Sequence, residues 1–335
     1  MIKFLFSIFT SISILIVLFW FIPLERITDI PKQISPVGIF IGFCLYFITF
    51  ILLALRWRLL LFAGQEIAGK RIPLVQLFAI SAVHNFYSNF LPVKTGELAI
   101  LYLARKYLQI DVSKSITSLL IARATDFTAI GLLVLLLIMV QNAHSSFNGR
   151  IIVVVAFVLI GAPVIAIMSM IIWGNRIAYW FNQRLANLLS GYHFHLGKRI
   201  VEVIAKTAQL FSETRQKNLY FKCFFLSIAI MIARVFIFSS FIVFGYEQIS
   251  FFSAAFIGIS ALFITSTPLH GFLGLGTFEG GWVLGYVILG LSPKDGLLTA
   301  FNAHMLLIIF LAFLGATSNI FLMHFHFKGE NVWKD

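Results

Sequence analysis

Three carboxylates, Glu97, Asp126 and Glu279, and three cations, Lys94, Arg123 and Arg234, stand inside long apolar stretches of this sequence. An uncompensated charge in hydrocarbon costs ~2.5 to 3.5 kcal/mol on insertion scales, so each must pair, face a polar cavity or contact a ligand. Cations at depth suit the capture of an anion, above all a phosphate. Lys94 lies at a Leu91-Pro92-Val93-Lys94-Thr95-Gly96 interruption and is the first candidate phosphate ligand. Arg234 has no neighbouring carboxylate in sequence, which points to a headgroup or a distant partner. Arg123 and Asp126 are i, i+3 and could simply bridge each other. Glu97 and Glu279 each follow a glycine where a helix restarts; helix capping and a site for substrate or protons both fit them. Arg56 and Arg58 near a span end could snorkel to the interface or contact phosphate. His304 sits alone in the last apolar run, where an imidazole, unlike a guanidinium, can lose its charge near neutral pH.

A second set is polar but uncharged. Ser81, His84, Asn85, Ser88 and Asn89 recur at helical spacing and make one polar stripe, which suits helix packing as well as cavity lining. His270 belongs to a second interruption, Thr267-Pro268-Leu269-His270-Gly271. Other chemistries find no support. The pairs His193/His195 and His324/His326 have no third ligand at useful spacing, so no metal site is expected. The glycines of Gly271-Phe-Leu-Gly274-Leu-Gly276 follow no nucleotide-binding pattern and no GK[ST] occurs, so no cofactor or ATP-driven step is expected. Cys44 and Cys223 are isolated in apolar runs and imply nothing about redox compartment.

The elements that must hold these residues follow from composition. Of 335 residues 60% are hydrophobic and only 11% charged, with 38 Phe and a mean hydropathy of +0.97. That is a polytopic all-α membrane protein without a soluble domain of its own. Six full spans are expected, at Phe4 to Ile22, Val37 to Leu61, Ser115 to Val140, Ile151 to Trp173, Leu219 to Gly245 and Leu297 to Leu322. The regions Leu74 to Ala104 and Phe251 to Gly290 are broken in the middle and read as two broken or re-entrant helix pairs. The formal charge of +12 describes topology rather than nucleic-acid binding. With the segment Gly174 to Asn218 placed inside, eighteen Lys and Arg fall on the cytoplasmic side, four outside and three in the membrane, and both termini are cytoplasmic. Within that segment Lys198 to Lys217 has amphipathic spacing, expected as an interfacial or a linker helix.

The two broken regions suggest an inverted-repeat, transporter-like architecture. Repeat one is 37–140, a connecting part is 141–218, and repeat two is 219–322. Arg56 to Pro92 is 36 residues and Arg234 to Pro268 is 34; Glu97 to Arg123 is 26 and Glu279 to His304 is 25. Broken helices leave backbone N–H groups aimed at the bilayer centre, and a phosphate would satisfy them.

At these residues the chain resembles the lysylphosphatidylglycerol synthase transmembrane-region family, the flippase-like integral membrane proteins. The resemblance rests on Leu55-Arg56-Trp57, Asn89-Phe90-Leu91-Pro92, Gly96-Glu97-Leu98, Arg123, Asp126, Thr267-Pro268, Gly274-Leu275-Gly276 and Phe278-Glu279. It departs at Ala122, where the family commonly has Glu, and at His304, where an Arg is usual. The resemblance implies flipping of an anionic lipid or a polyprenyl-phosphate-linked sugar between leaflets of the cytoplasmic membrane of a bacterium or archaeon. The lipid or lipid-linked glycan is then the partner, with glycosyltransferases of the same pathway beside it and no nucleic acid. The substrate-binding set expected is Lys94, Glu97, Arg56, Arg123, Arg234, Glu279, His304, His270 and Asn89. No aminoacyltransferase domain follows His326, so this chain alone is not expected to make lysyl-lipid. A membrane-embedded transferase with a lipid-linked donor and a scaffold for glycosyltransferases are the competing functions.

Overall fold

The computed structural model describes residues 34–62, 72–91, 96–140, 147–189, 195–214, 218–243, 249–266 and 272–331, and among these all regular structure is helical. The α-helices among the described residues are α1 (Pro36–Phe62), α2 (Leu74–Phe90), α3 (Ala99–Leu108), α4 (Val112–Val140), α5 (Phe147–Leu189), α6 (His195–Thr214), α7 (Leu219–Val243), α8 (Phe251–Ser266), α9 (Thr277–Ile288) and α10 (Pro293–Asn331). The expected span Phe4 to Ile22 and the break residues Pro92, Lys94, Pro268 and His270 lie outside the described residues. Local sequence explains several helix starts. Ser35 Oγ accepts the Gly38 N–H at 3.2 Å in front of Pro36, and Ser250 Oγ accepts the Ser253 N–H at 3.2 Å at the entry to α8.

Five helices, α1, α4, α5, α7 and α10, are long and apolar enough to cross a bilayer. The regions expected to be broken are helix pairs, α2 with α3 and α8 with α9, whose members have 17, 10, 16 and 12 residues. None of the four reaches the ~20 residues that a full crossing needs. Before α9 lies a 3₁₀ turn at Phe272–Gly274 in which Leu273 has φ 57 and Gly274 φ 77, and Gly276, the residue that caps α9, has φ 81. Positive φ costs glycine little but strains a leucine, so packing must hold Leu273 in place.

Three boundaries differ from the sequence expectation, one of them the end of the last span, which continues past Leu322 to Asn331 in α10. The loop Arg105 to Lys114 shrinks to Gln109, Ile110 and Asp111, because α3 runs to Leu108 before Gln109 turns left-handed. The fourth span does not stop at Trp173: α5 continues to Leu189 with Pro163 inside it. Gly174 alone cannot end a helix when the following Arg, Ala, Leu and Gln residues favour continuing it.

The helix α6 is packed rather than free. Ala205, Ala208 and Phe211 are buried, Ser113 Oγ donates to the Val203 carbonyl at 3.4 Å, and Lys206 pairs with Asp111. Its apolar stripe therefore lies on the start of α4 and on α5. In its most apolar stretch α5 buries only 6% of its residues and turns an apolar surface outward.

The remaining packing is reciprocal. Along its length α1 packs on α7; α2 lies on α10, and α8 lies on α4. Each half also packs internally in the same way, α1 on α2, α2 on α3 and α3 on α4, then α7 on α8, α8 on α9 and α9 on α10. Close approach of α8 and α9 depends on Gly281 and Gly285, where an added Cβ would lie 2.8 Å from the Cα of Ala261 and of Ile257.

Candidate functional site

A cavity of about 150 Å³ lies among α1, α2, α4, α7, α8, the 3₁₀ turn and α10. From the sequence-derived set Asn89, Arg123, Arg234 and His304 line it, joined by Asn85 and Ser88 of the polar stripe. The stripe does both things expected of it. Ser81 is fully buried with its hydroxyl on the Leu77 carbonyl, and His84 Nε2 reaches the Glu97 carbonyl at 3.2 Å, whereas Asn85, Ser88 and Asn89 face the cavity.

Two carboxylate–base pairs stand behind the wall. Arg123 Nε donates to Glu97 Oε2 at 2.9 Å, which ties the restart of the first broken pair to α4. His304 Nδ1 lies 2.6 Å from Glu279 Oε1, which ties the restart of the second pair to α10. Of the roles open to it Glu279 takes that of the cap, since its Oε2 accepts the Gly276 N–H at 2.7 Å at the start of α9. His304 Nε2 donates to the Leu273 carbonyl at 3.1 Å, and Phe278 stacks on the imidazole at 4.5 Å. The hydrogen bond from His304 fastens the carbonyl of the left-handed Leu273 to α10.

Arg56 and Asp126 form a deeper pair. Each is 5% exposed; Arg56 Nη1 donates to Asp126 Oδ1 and, at 3.1 Å, to Ser227 Oγ. Ser227 in turn donates to Thr125 at 2.9 Å, so the network joins α1, α4 and α7. This corrects one sequence expectation and shows another to be the weaker of two contacts. Arg56 does not snorkel and does not line the cavity, because Asp126 neutralises it in the interior. The i, i+3 bridge from Arg123 to Asp126 is only a 3.9 Å contact, because Arg123 leans toward Glu97 and leaves Asp126 to Arg56.

Arg234 is different. It faces the cavity from α7 and has no hydrogen-bond or ion-pair partner among the described residues. A half-buried guanidinium in this position leaves five N–H donors for water or an anion. Lys94 and His270 lie outside the described residues, and Glu97 and Glu279 sit behind Arg123 and His304 rather than on the wall.

Several lining residues escaped sequence reasoning. Tyr46 and Thr49 on α1 and Thr265 and Ser266 on α8 lie on the wall. The signal was weak but present: Tyr46 and Thr49 are i, i+3 in an otherwise apolar span, and Thr265 and Ser266 immediately precede the second break. Among the described residues no cluster of three or more His, Cys, Asp or Glu could hold a metal.

The sequence model of the family described as the lysylphosphatidylglycerol synthase TM region matches residues 2–315, nearly the whole chain. The chain belongs to that family, a group of membrane proteins of lipid metabolism or lipid flipping. No curated protein and no solved structure matches it.

Proposed function

We propose that this family member binds the phosphate of an anionic lipid, or of a polyprenyl-phosphate-linked sugar, in the cavity between its broken helix pairs and passes it between leaflets. The observation that carries this reading is Arg234, a cation without a protein partner among the described residues, set in a cavity inside the membrane-spanning bundle. A permanent charge held inside the helix bundle is costly unless a ligand or water uses it. Arg123 adds a second guanidinium whose Glu97 partner leaves other N–H donors free.

The reciprocal packing supports an inverted repeat. Exchanging α1 with α7, α2 with α8, α3 with α9 and α4 with α10 reproduces the helix contacts given above, and the same exchange maps Glu97–Arg123 onto Glu279–His304. Two similar halves hinged at α1 and α7 are the arrangement in which rocking exposes one central site alternately. On this reading the cavity opens to the cytoplasmic leaflet from one broken pair and to the outer leaflet from the other. The membrane is the cytoplasmic membrane of a bacterium or archaeon, and glycosyltransferases of the same pathway act beside the protein.

A membrane-embedded transferase would need a free carboxylate as base. Glu97 and Asp126 are each tied to a permanently charged guanidinium within 3 Å, which favours transport over base chemistry at those two carboxylates. The test is reconstitution in liposomes with fluorescent phosphatidylglycerol or a labelled polyprenyl-phosphate sugar. Leaflet exchange supports the proposal, a covalent product means a transferase, and neither means a scaffold. Cysteines introduced near Arg184 or Arg215 should label from the cytoplasmic side alone; labelling from outside would invert the topology.

A further inference from the structure

Both nitrogens of the His304 imidazole meet acceptors. Nε2 lies 3.1 Å from the Leu273 carbonyl, which can only accept, so this nitrogen carries a proton. Nδ1 lies 2.6 Å from Glu279 Oε1, a separation at which two facing lone pairs repel, so a proton stands between these atoms as well. It is either the second N–H of an imidazolium facing a carboxylate or the O–H of a carboxylic acid facing a neutral imidazole. The proton count is the same in both descriptions, and the shared proton belongs to the pair rather than to one residue. The counterpart in the other half is different, because the Arg123 guanidinium that holds Glu97 does not give up its protons.

Removing the shared proton leaves a carboxylate and a neutral imidazole with one N–H for two acceptors. The charge-assisted bond to Glu279 is the stronger of the two. The tautomer that keeps it turns the Nε2 lone pair toward the Leu273 carbonyl, and that contact is lost. Leu273 has φ 57, a strained conformation for leucine, so a fastening is removed where the backbone already favours another arrangement. Leu273 and Gly274 line the cavity, and a shift of this turn alters the wall. His304 lines the cavity too, which gives the proton a route to and from water there.

The groups around the pair set no rival switch at the same contact. Arg234 of α7, Arg123 of α4 and Tyr46 of α1 share the cavity with His304, and both guanidiniums keep their charge. On α2, His84 Nε2 meets the Glu97 carbonyl, so its titration would be felt at the first broken pair. On α9 the Tyr286 hydroxyl is held by Thr299. Along α10 itself Lys294 and Asp295 stand at its start and His324 toward its far end. The helix α8 and the 3₁₀ turn carry no titratable side chain among the described residues.

We infer that the Glu279–His304 pair is a proton-binding site, and that loss of its shared proton to water in the cavity releases the Phe272–Gly274 turn from α10 and reshapes the wall. The second broken pair is thus fastened to α10 only while it holds that proton, whereas the first is fastened to α4 at any pH. The inference concerns the wall and stands whichever ligand the cavity takes.

The experiment is hydrogen exchange of the full chain in detergent, read as protection factors between about pH 5 and about pH 9, on either side of the ordinary imidazole range. Protection of residues 272–276 should fall at least about threefold as pH rises, the scale of one lost hydrogen bond. Protection of Ala99–Leu108, behind the Glu97–Arg123 pair, should stay level. Two variants, checked for monodispersity, replace the shared proton with a permanent donor. In Glu279→Gln the amide N–H faces Nδ1 and the amide oxygen keeps the Gly276 N–H; in His304→Arg a guanidinium takes the place of the imidazole. Both should make the protection of 272–276 independent of pH. Level protection of 272–276 in the unaltered chain overturns the inference. A fall that persists in both variants assigns the switch to another group, and an equal fall in Ala99–Leu108 shows a general loosening; either result overturns it as well.

Discussion

The imidazole of His304 lies 2.6 Å from the carboxylate of Glu279, and 25 residues separate the two in the chain. The other broken region holds the counterpart, Glu97 with Arg123, at 2.9 Å and a spacing of 26. In each case a carboxylate at the restart of a broken helix is fastened to a base on the next spanning helix. The partner is a guanidinium in one half and an imidazole in the other, so the two fastenings are alike in geometry and unlike in chemistry.

Arg234→Gln should separate function from folding. Removing a cation that has no protein partner among the described residues relieves a desolvation cost, so the thermal midpoint should stay level or rise. Leaflet exchange of phosphatidylglycerol should fall at least about tenfold, since one lost charge-assisted hydrogen bond is worth about 1.5 to 3 kcal/mol. Normal exchange by this variant would remove Arg234 from the mechanism.

The Arg56–Asp126 pair should behave as a buried ion pair in a double-mutant cycle. Asp126→Asn leaves Arg56 uncompensated in the interior and is expected to cost about 3 to 5 kcal/mol. Combining Arg56→Met with Asp126→Leu removes both charges and should recover most of that loss. Denaturant unfolding in detergent measures the coupling; additive losses would show that the pair acts independently.

Packing of α8 against α9 should fail when the small residues are enlarged. A Cβ at Gly281 or Gly285 meets backbone at 2.8 Å, so neither neighbour can yield by rotating a side chain. Gly285→Val is expected to destabilise by about 1 to 3 kcal/mol and to move the second broken pair away from the cavity. Gly280→Ala, where an added Cβ meets nothing within 4 Å, is the control and should leave the thermal midpoint unchanged.

The contact that fastens α6 to the loop before α4 should weaken in acid. The Lys206 ammonium donates to Asp111 and holds its carboxyl below the usual carboxylate range. A depressed carboxylate contributes its stabilisation fully above its unfolded value near 4 and loses it as pH falls through the folded value. Both side chains are about half exposed, at 58% and 48%, so the contribution is small and sensitive to salt. Hydrogen exchange of α6 should therefore rise modestly below about pH 4, and Lys206→Gln should show the raised exchange at neutral pH already. An α6 whose exchange is the same in the variant and in acid as in the unaltered chain at neutral pH would show that the apolar stripe alone docks it.

Hydropathy and residue spacing determined the helical class, the positions of the described spans and the region of both interruptions, though not where α5 ends, because a hydrocarbon solvent acts on each segment separately and leaves its mark in local composition. The reciprocal spacing of Glu97 to Arg123 and Glu279 to His304 was legible for the same reason: the four residues are rare polar points in apolar runs. What sequence could not decide was which charge meets which. Asp126 bonds Arg56, 70 residues away, in preference to Arg123 one turn earlier, because packing α1 and α7 on α4 brings one guanidinium into the interior and leaves the other directed toward Glu97. Nor could it show that Thr49, Thr265 and Ser266 share a wall, since they stand on separate helices that meet only when α1 and α8 close around the cavity. Burial of one helix is set by its own composition, whereas the partner of a buried polar group is set by all the helices that surround it.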